Sequence, residues 1–429
     1  MPIVVVVGGQ WGDEGKGRIV DLLARDASII ARYSAGNNAG HTVINHLGTF
    51  KLHLVPAGIF HAEKLSVIGN GVVINPRELI AEIDALESRG VPTKNLVVSD
   101  RAHVIMPYHP VIDRLDEELR GPLAIGTTGM GVGPAFSDKV SRVGIRMADL
   151  LEPKSFAERL RFVLDYKNKI IERLYGGTPL EFGPIYDEYV ADGARLAPYI
   201  KDTASIVHEA LNRGEKVLLE GAQGALLDLD AGTYEYVTSS VPSSTASGAG
   251  IGIGVGPTQI DNVVAIYKAY TTRVGNGPMP TELHGAEGER LRDAGQEYGA
   301  TTGRARRCGW FDAVAARYTA RLNGVTSAVF TRLDVLDNFE KIKICTAYEL
   351  DGVVMQNFPA SLNVLARCQP VYEEFEGWQA PTGGVRNFED LPRNARLYVR
   401  RIEAVLGAPI DLVSVGPERD QAISIRQVM

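Results

Sequence analysis

Apolar runs alternate with amphipathic stretches along the chain. Ile3–Val7 is an unbroken β-branched run, the mark of a strand buried on both faces. A helix is predicted from about Gly15 to Arg25, then a strand over Ser28–Tyr33. "VINHLGTFKLHLV" reads as a hairpin turning near Leu47-Gly48. Asn75 as N-cap, Pro76 in the first turn and Gly90 just past the end bracket a helix running to Arg89. Further on, helices are predicted over Phe156–Tyr175, Ile185–Tyr199, Phe311–Leu322 and Arg393–Leu406. Strands are predicted at "EKVLLEGAQG", from Val263, at Ser327–Thr331 and at Ile410–Val415. "SGAGIGIGVGP", residues 247–257, reads as loop.

Strands alternating with helices predict an α/β fold: a large, mainly parallel central sheet with flanking helices and inserted subregions. No repeat, low-complexity tract or linker divides the chain, so residues 1–429 are read as one large domain with a helical insertion at about 150–215.

Bulk properties narrow the function classes. A net charge of −7 argues against nucleic acid as the main partner, so any basic chemistry must be local. No apolar run reaches membrane-spanning length, and the start of the chain is a strand pattern rather than a signal peptide. Cys308, Cys345 and Cys368 lack metal-like spacing and fit a reducing compartment. A cytoplasmic protein is expected, with no membrane and no nucleic acid among its partners.

The first loop, "GGQWGDEGKGR", joins a buried strand to a helix and has the makings of a phosphate cradle: backbone N–H groups at a helix N-terminus and a lysine, Lys16. It is not the common version. Five residues separate Gly9 from Gly15-Lys16, and the hydroxyl that normally holds Mg²⁺ is missing. Asp13 is placed to replace it as metal ligand, to act as a base, or both. A plain helix-capping role for Asp13 and Glu14 would leave Lys16 and the glycines without a purpose.

Other stretches carry chemistry. "SAGNNAGHT" places His41 at the tip of a second glycine loop, and two such loops should meet at the carboxyl ends of a parallel sheet. "AIGTTGMGVGP" offers adjacent hydroxyls among glycines, and Gln223 and Thr238 follow strand-like sequence. "GATTGRARRCGW" concentrates arginines in an otherwise acidic chain, an anion trap suited to carboxylate or phosphate. "TRLD", with Arg332 and Asp334 after a strand, has the cation-spacer-Asp form of a guanine site, where an Asp accepts from N1–H and the 2-amino group.

Together, "QWGDEGKG", "NAGHT", "IGNGVV", "GTTG-x-G-x-GP", "EGAQG-x-LLD-x-D-x-GTY-x-YVTSS", "TRVG-x-GP-x-PTE", "GATTGR" and "LDVLD" resemble the adenylosuccinate synthetases over nearly the whole chain and in the family's order. The resemblance implies a GTP-dependent ligase with Mg²⁺ that joins L-aspartate to IMP through a 6-phosphoryl-IMP intermediate, in the route to AMP. It implies Asp13 as the base for the N1 proton and His41 as the acid partner, with Lys16 and Gln223 also catalytic. Asp13 and the Gly40 carbonyl fall at the metal. Gly12, Glu14, Gly15, Lys16, Gly17 and Arg18 fall at the GTP phosphates, with Gly40, His41 and Thr42 beside them. Arg306, Arg332, Asp334, Ser414 and Gly416 complete the GTP set. Asp13, Asn38, Thr128, Gln223, Thr238, Val274 and Arg304 fall at IMP. Arg142 matches an arginine that reaches the neighbouring subunit's IMP phosphate, which implies a homodimer. Ala300, Thr301, Thr302, Arg304 and Arg306 fall at the aspartate substrate.

Departures from the family pattern are Met130 in place of a basic residue, Glu235 in place of Pro, Ala305 inside the arginine run, Arg332 in place of Lys and Cys308 in place of Thr. They leave open a paralogue joining another amino acid or purine nucleotide. A GTP-dependent switch is the alternative from another class. The arginine-rich loop and His41 argue against it, since a switch needs neither a second-substrate loop nor an acid beside the γ-phosphate.

Overall fold

The computed structural model describes every residue except 1, 2, 46, 299–302, 304, 419 and 429. Ten strands of the described residues form one sheet. Its order from one edge is Ala422–Ser424, Ile410–Ser414, Ser327–Thr331, Ile260–Lys268, Ile3–Gly8, Val217–Gly224, Ile29–Arg32, Leu65–Ile68, Leu96–Ser99 and Ile200–Lys201. Every neighbouring pair is parallel except the outermost, where Ala422–Ser424 runs against Ile410–Ser414. Ile3–Gly8 is buried at all six positions. The alternating side chains of this strand explain why. Ile3, Val5 and Val7 join one apolar layer with Tyr33, Tyr267 and Phe330, while Val4 and Val6 join the other with Ile19, Ile30 and Leu79.

The helices cover both faces of the sheet. Pro76–Ser88 is capped as its sequence predicts, with Asn75 Oδ1 accepting from the Arg77 N–H at 3.1 Å. The insertion contains Pro153–Arg173, Phe182–Leu196 and Thr203–Asn212. Phe156, Leu160 and Val163 of its first helix share an apolar layer with Val4 and Val6 of the first strand. Residues 341–376 add strands Lys341–Leu350, Val353–Met355 and Gln369–Glu376, which with Phe311–Asp312 make a second, smaller sheet.

Three expectations need correction. Residues 247–257 are not loop: Ala246–Ile253 is an α-helix. Its glycines are there for close packing, since a Cβ on Gly252 would lie 2.1 Å from the Tyr33 carbonyl oxygen and one on Gly248 2.0 Å from that of Ser243. Burial against neighbouring backbone outweighs the low helix propensity of glycine. His41, expected at a loop tip, instead opens the strand His41–Asn45, paired with Gly48–Leu52, and is buried. The helix expected from Phe311 begins at Ala313, because Asp312 ends a short strand and caps the helix through Oδ1 to the Val314 and Ala315 N–H groups.

Candidate functional site

The loop after Ile3–Gly8 turns sharply. Gly12, Asp13 and Gly15 all have positive φ, at 88°, 60° and 89°. Asp13 is one of the few side-chain-bearing residues in that region, which short polar residues reach at least cost. The two acids of the loop then point in opposite directions. Glu14 faces inward and is fully buried. Its carboxylate accepts from the Gln10 N–H at 3.0 Å and the Gly12 N–H at 2.9 Å, and pairs with Lys16 Nζ at 2.7 Å. Burial alone would raise the Glu14 carboxyl, but Lys16 and the loop's own N–H groups hold it below the usual carboxylate range. Glu14 therefore builds the loop and holds its lysine.

Asp13 faces outward, with 37% of its side chain exposed, and Oδ2 lies 2.8 Å from Arg306 Nε. Arg306 Nη1 in turn reaches Glu297 Oε2 at 2.6 Å, and Glu297 Oε1 reaches Lys268 Nζ at 2.8 Å. Arg332 Nη2 stands 4.0 Å from the same Oε1. Burial would raise the Glu297 carboxyl, but Lys268, Arg306 and Arg332 together draw it down to about 2.

The His41–Asn45 strand begins beside the first helix; a Cβ on Gly17 would lie 2.7 Å from the His41 Cβ. His41 Nδ1 is bonded to Glu220, a buried acid in the strand Val217–Gly224. Its Nε2 is buried and has no hydrogen-bond partner among the described residues. Gln223, three positions after Glu220, is half-buried, and its Oε1 accepts from the Ser244 hydroxyl at 3.1 Å.

These groups line one cleft of about 600 Å³, within the range of small-molecule sites and at the carboxyl ends of the strands. Gly12, Asp13, Glu14, Gly15, Lys16, Gly17 and Arg18 of the first loop and helix line it. So do Asn38, Gly40, His41 and Thr42, and Thr128, Gln223, Thr238 and Val274. Arg306, Arg332, Ser414 and Gly416 complete the lining. Arg18 joins the first helix to the end of the chain, donating to the Gly416 carbonyl and to the Ser414 hydroxyl. Burial lowers its guanidinium to about 10.

Two predicted site residues do not line the cleft. Asp334 lies in the one-turn helix Leu333–Leu336, where its Oδ1 is buried without a hydrogen-bond partner among the described residues; burial raises its carboxyl and Arg332 opposes that. Arg142 caps the end of Val132–Ser141 at φ 64° and is exposed. Ala300, Thr301, Thr302 and Arg304 lie outside the described residues.

Several supporting residues carry no motif. Glu117 accepts from the Ile125, Gly126 and Thr127 N–H groups at 2.7–3.1 Å and shapes the "GTTG" loop. Asp113 Oδ1 accepts from the Thr127 hydroxyl and Oδ2 from the Gly131 N–H, both at 2.9 Å. Glu220 opens the quoted "EGAQG" stretch, but its partner is not visible there, and Lys268 shows only as a charge closing the apolar strand "VVAIYK". Met130 has a structural explanation: it packs on the small cluster of Val73, Ile105, Val132 and Phe136.

An open, mostly parallel α/β protein, with a phosphate-type loop opening into a ligand-sized cleft that also holds a buried histidine, is the class these features define. The family model for adenylosuccinate synthetase matches residues 5–423. The chain belongs to the adenylosuccinate synthetase family, a family of ligases. It is similar to the structure of fully ligated adenylosuccinate synthetase from Plasmodium falciparum, with 37% identity, a TM-score of 0.93, and 99% of this chain and 100% of that one covered. The fold is also that of the succinoaminodeoxyadenylate synthetase of cyanophage S-2L, solved with dGMP and with dATP as energy donor, at 21% identity and a TM-score of 0.62 over 99% of this chain and 96% of that one.

Proposed function

We propose that this protein joins IMP and L-aspartate with GTP, giving adenylosuccinate, GDP and phosphate. The observation that carries the reading is the meeting of Asp13, Gln223 and the unpartnered Nε2 of His41 on one cleft above a phosphate-type loop. Asp13 removes the N1 proton of IMP, so that O6 becomes an oxyanion and attacks the γ-phosphorus of GTP. The bond to the β-bridging oxygen breaks and GDP leaves. His41 Nε2 and Lys16 serve the phosphoryl oxygens as this charge moves. The aspartate amine then adds at C6 of 6-phosphoryl-IMP, and phosphate departs with the O6 oxygen.

Mg²⁺ fits this site as an ion shared with substrate. Among the described residues no group of three or more His, Cys, Asp or Glu could hold a metal. One accessible carboxylate, Asp13, with the Gly40 carbonyl nearby on the cleft wall, suits an ion bound largely through phosphate oxygens and water. When bound it would neutralise charge on the transferring phosphoryl group. Arg332, with its planar cation, and Asp334, with its free Oδ1, are assigned to guanine. Arg306, with residues 300–302 and Arg304, is assigned to aspartate.

A homodimer is part of the reading. Arg142 is exposed, and Leu119, Leu123, Val140 and Phe162 on the helices packed beside it are 63%, 74%, 64% and 68% exposed. Cys308, Cys345 and Cys368 are free and buried, which supports a reducing, cytoplasmic setting. No helix of the described residues is long and apolar enough to cross a membrane.

The second reading is a paralogue with another amine or purine, favoured by Met130 and Glu235, which depart from the family pattern. The test supplies GTP, Mg²⁺, IMP and L-aspartate and follows purine absorbance as the 6-substituent is gained. Turnover that requires all three substrates is expected. Turnover only with another amine or nucleotide would establish the paralogue; GTP hydrolysis independent of IMP and aspartate would overturn the ligase reading.

A further inference from the structure

We infer that Glu220 is a positioning residue for His41: its carboxylate holds the imidazole with the proton on Nδ1 and leaves Nε2 as the face presented to the cleft. The functional half of this inference rests on the ligase reading; the orientation half does not.

The strand Val217–Gly224 is buried at seven of its eight positions, and Glu220 is 0% exposed. A carboxylate there is costly unless every oxygen is engaged. Both are. Oε1 is bonded to His41 Nδ1, and Oε2 accepts from the Ala57 N–H at 2.8 Å. The buried Arg32 guanidinium faces the same acid, and Glu220 partly offsets the lowering that burial imposes on it. The carboxylate is thus held by Ala57 and faced by Arg32 before it meets the histidine.

His41 is fixed in turn. It is 6% exposed, its Cβ rests against Gly17, and its neighbour strand Gly48–Leu52 pairs Leu52 opposite it. A carboxylate accepts only, so the His41 nitrogen facing it must carry a proton. That assignment leaves Nε2, the atom with no partner among the described residues, facing the cleft; it donates to a phosphoryl oxygen in the imidazolium form, where both ring nitrogens carry a proton. The same Glu–His order orients imidazoles elsewhere, where loss of the carboxylate leaves geometry in place but the wrong tautomer.

A purely structural Glu220, serving only Ala57 and Arg32, predicts something different, and the experiment separates the two. In the intact protein labelled with [¹⁵N]histidine, and with His41→Asn used for assignment, His41 is expected as the Nδ1-protonated form. Glu220→Gln is expected to lose that signature and to lower kcat by about 10²-fold, with the KM values for IMP and GTP within ~2-fold. Glu220→Asp is expected to recover part of kcat. An unprotonated Nδ1 in the unaltered protein would overturn the inference, as would Glu220→Gln with unchanged kcat in a protein that is an active ligase. If the unaltered protein makes no adenylosuccinate, the ligase reading and the catalytic half both fall, and the NMR signature alone decides the orientation. Should Glu220→Gln not fold, the unaltered spectrum and Glu220→Asp still give that decision.

Discussion

Asp13 and Arg306 meet in the cleft, Oδ2 to Nε at 2.8 Å, while the same guanidinium holds Glu297 at 2.6 Å. The proposed base is therefore aimed by an arginine rather than left to rotate in solvent. Asp13→Asn keeps the shape of the side chain and removes the base. It is expected to fold, to bind GTP, and to lose at least ~10²–10⁴-fold in kcat. Tryptophan-quench titration with GTP and the absorbance assay check the two halves; turnover like that of the unaltered protein would remove Asp13 from its role.

Arg306→Leu should act on a different parameter. It deletes the cation assigned to the aspartate carboxylate, so KM for aspartate is expected to rise by roughly 10-fold or more. Initial rates against aspartate at saturating IMP and GTP give the answer.

Arg142 stands exposed at a helix end, away from the cleft of its own chain. Arg142→Leu is expected to weaken IMP use. Mixed with Asp13→Asn protein, it should regain up to about a quarter of normal activity, since random pairing of two defective chains leaves some sites with both residues intact. Titrating one variant into the other tests this; no recovery at any ratio would count against a shared site.

Glu297 makes the fold sensitive to acid. Its carboxyl sits at about 2 when folded, against the ordinary 4.5. A lowered acid stabilises fully above its unfolded value, and that contribution disappears as pH falls from about 4.5 towards 2. Glu297→Gln leaves Lys268, Arg306 and Arg332 without their shared anion, at a cost of roughly 3–5 kcal/mol near neutrality. Urea midpoints at pH 7 and pH 3 should show the gap between unaltered and variant protein narrowing in acid.

The glycine helix can be tested by volume. Gly252→Ala puts a methyl group 2.1 Å from the Tyr33 carbonyl oxygen, and a loss of about 1–3 kcal/mol is expected despite alanine's better helix propensity. A higher melting temperature would refute the tight packing.

What could be read from sequence divides along physical lines. Strands such as Ile3–Gly8 and Ser327–Thr331 were legible because burial on both faces demands unbroken apolar runs, and Pro76–Ser88 because its caps are local. Ala246–Ile253 was not, since Gly252 answers to backbone that lies over two hundred residues away at Tyr33. In the cleft, the phosphate loop was visible from its glycines and Lys16 between a buried strand and a helix, despite its unusual spacing. The opposed directions of Asp13 and Glu14 were not, because they follow from positive φ at three successive turns of backbone. Glu220, Glu297 and Lys268 were hidden for another reason: their partners come from distant strands, and a single charge in an apolar run does not name its counter-ion.

The strand Val217–Gly224 lies between Ile3–Gly8 and Ile29–Arg32, although it comes far later in the chain. The glycine loop and the histidine hairpin thus emerge early from the ribosome and must wait for a wedge made much later to slot between them. A nascent chain halted at Asn212 owns Asp13, Lys16 and His41 but neither Glu220 nor Gln223. The cleft is therefore completed only after most of the chain has been translated, since Arg306, Arg332, Ser414 and Gly416 also line it.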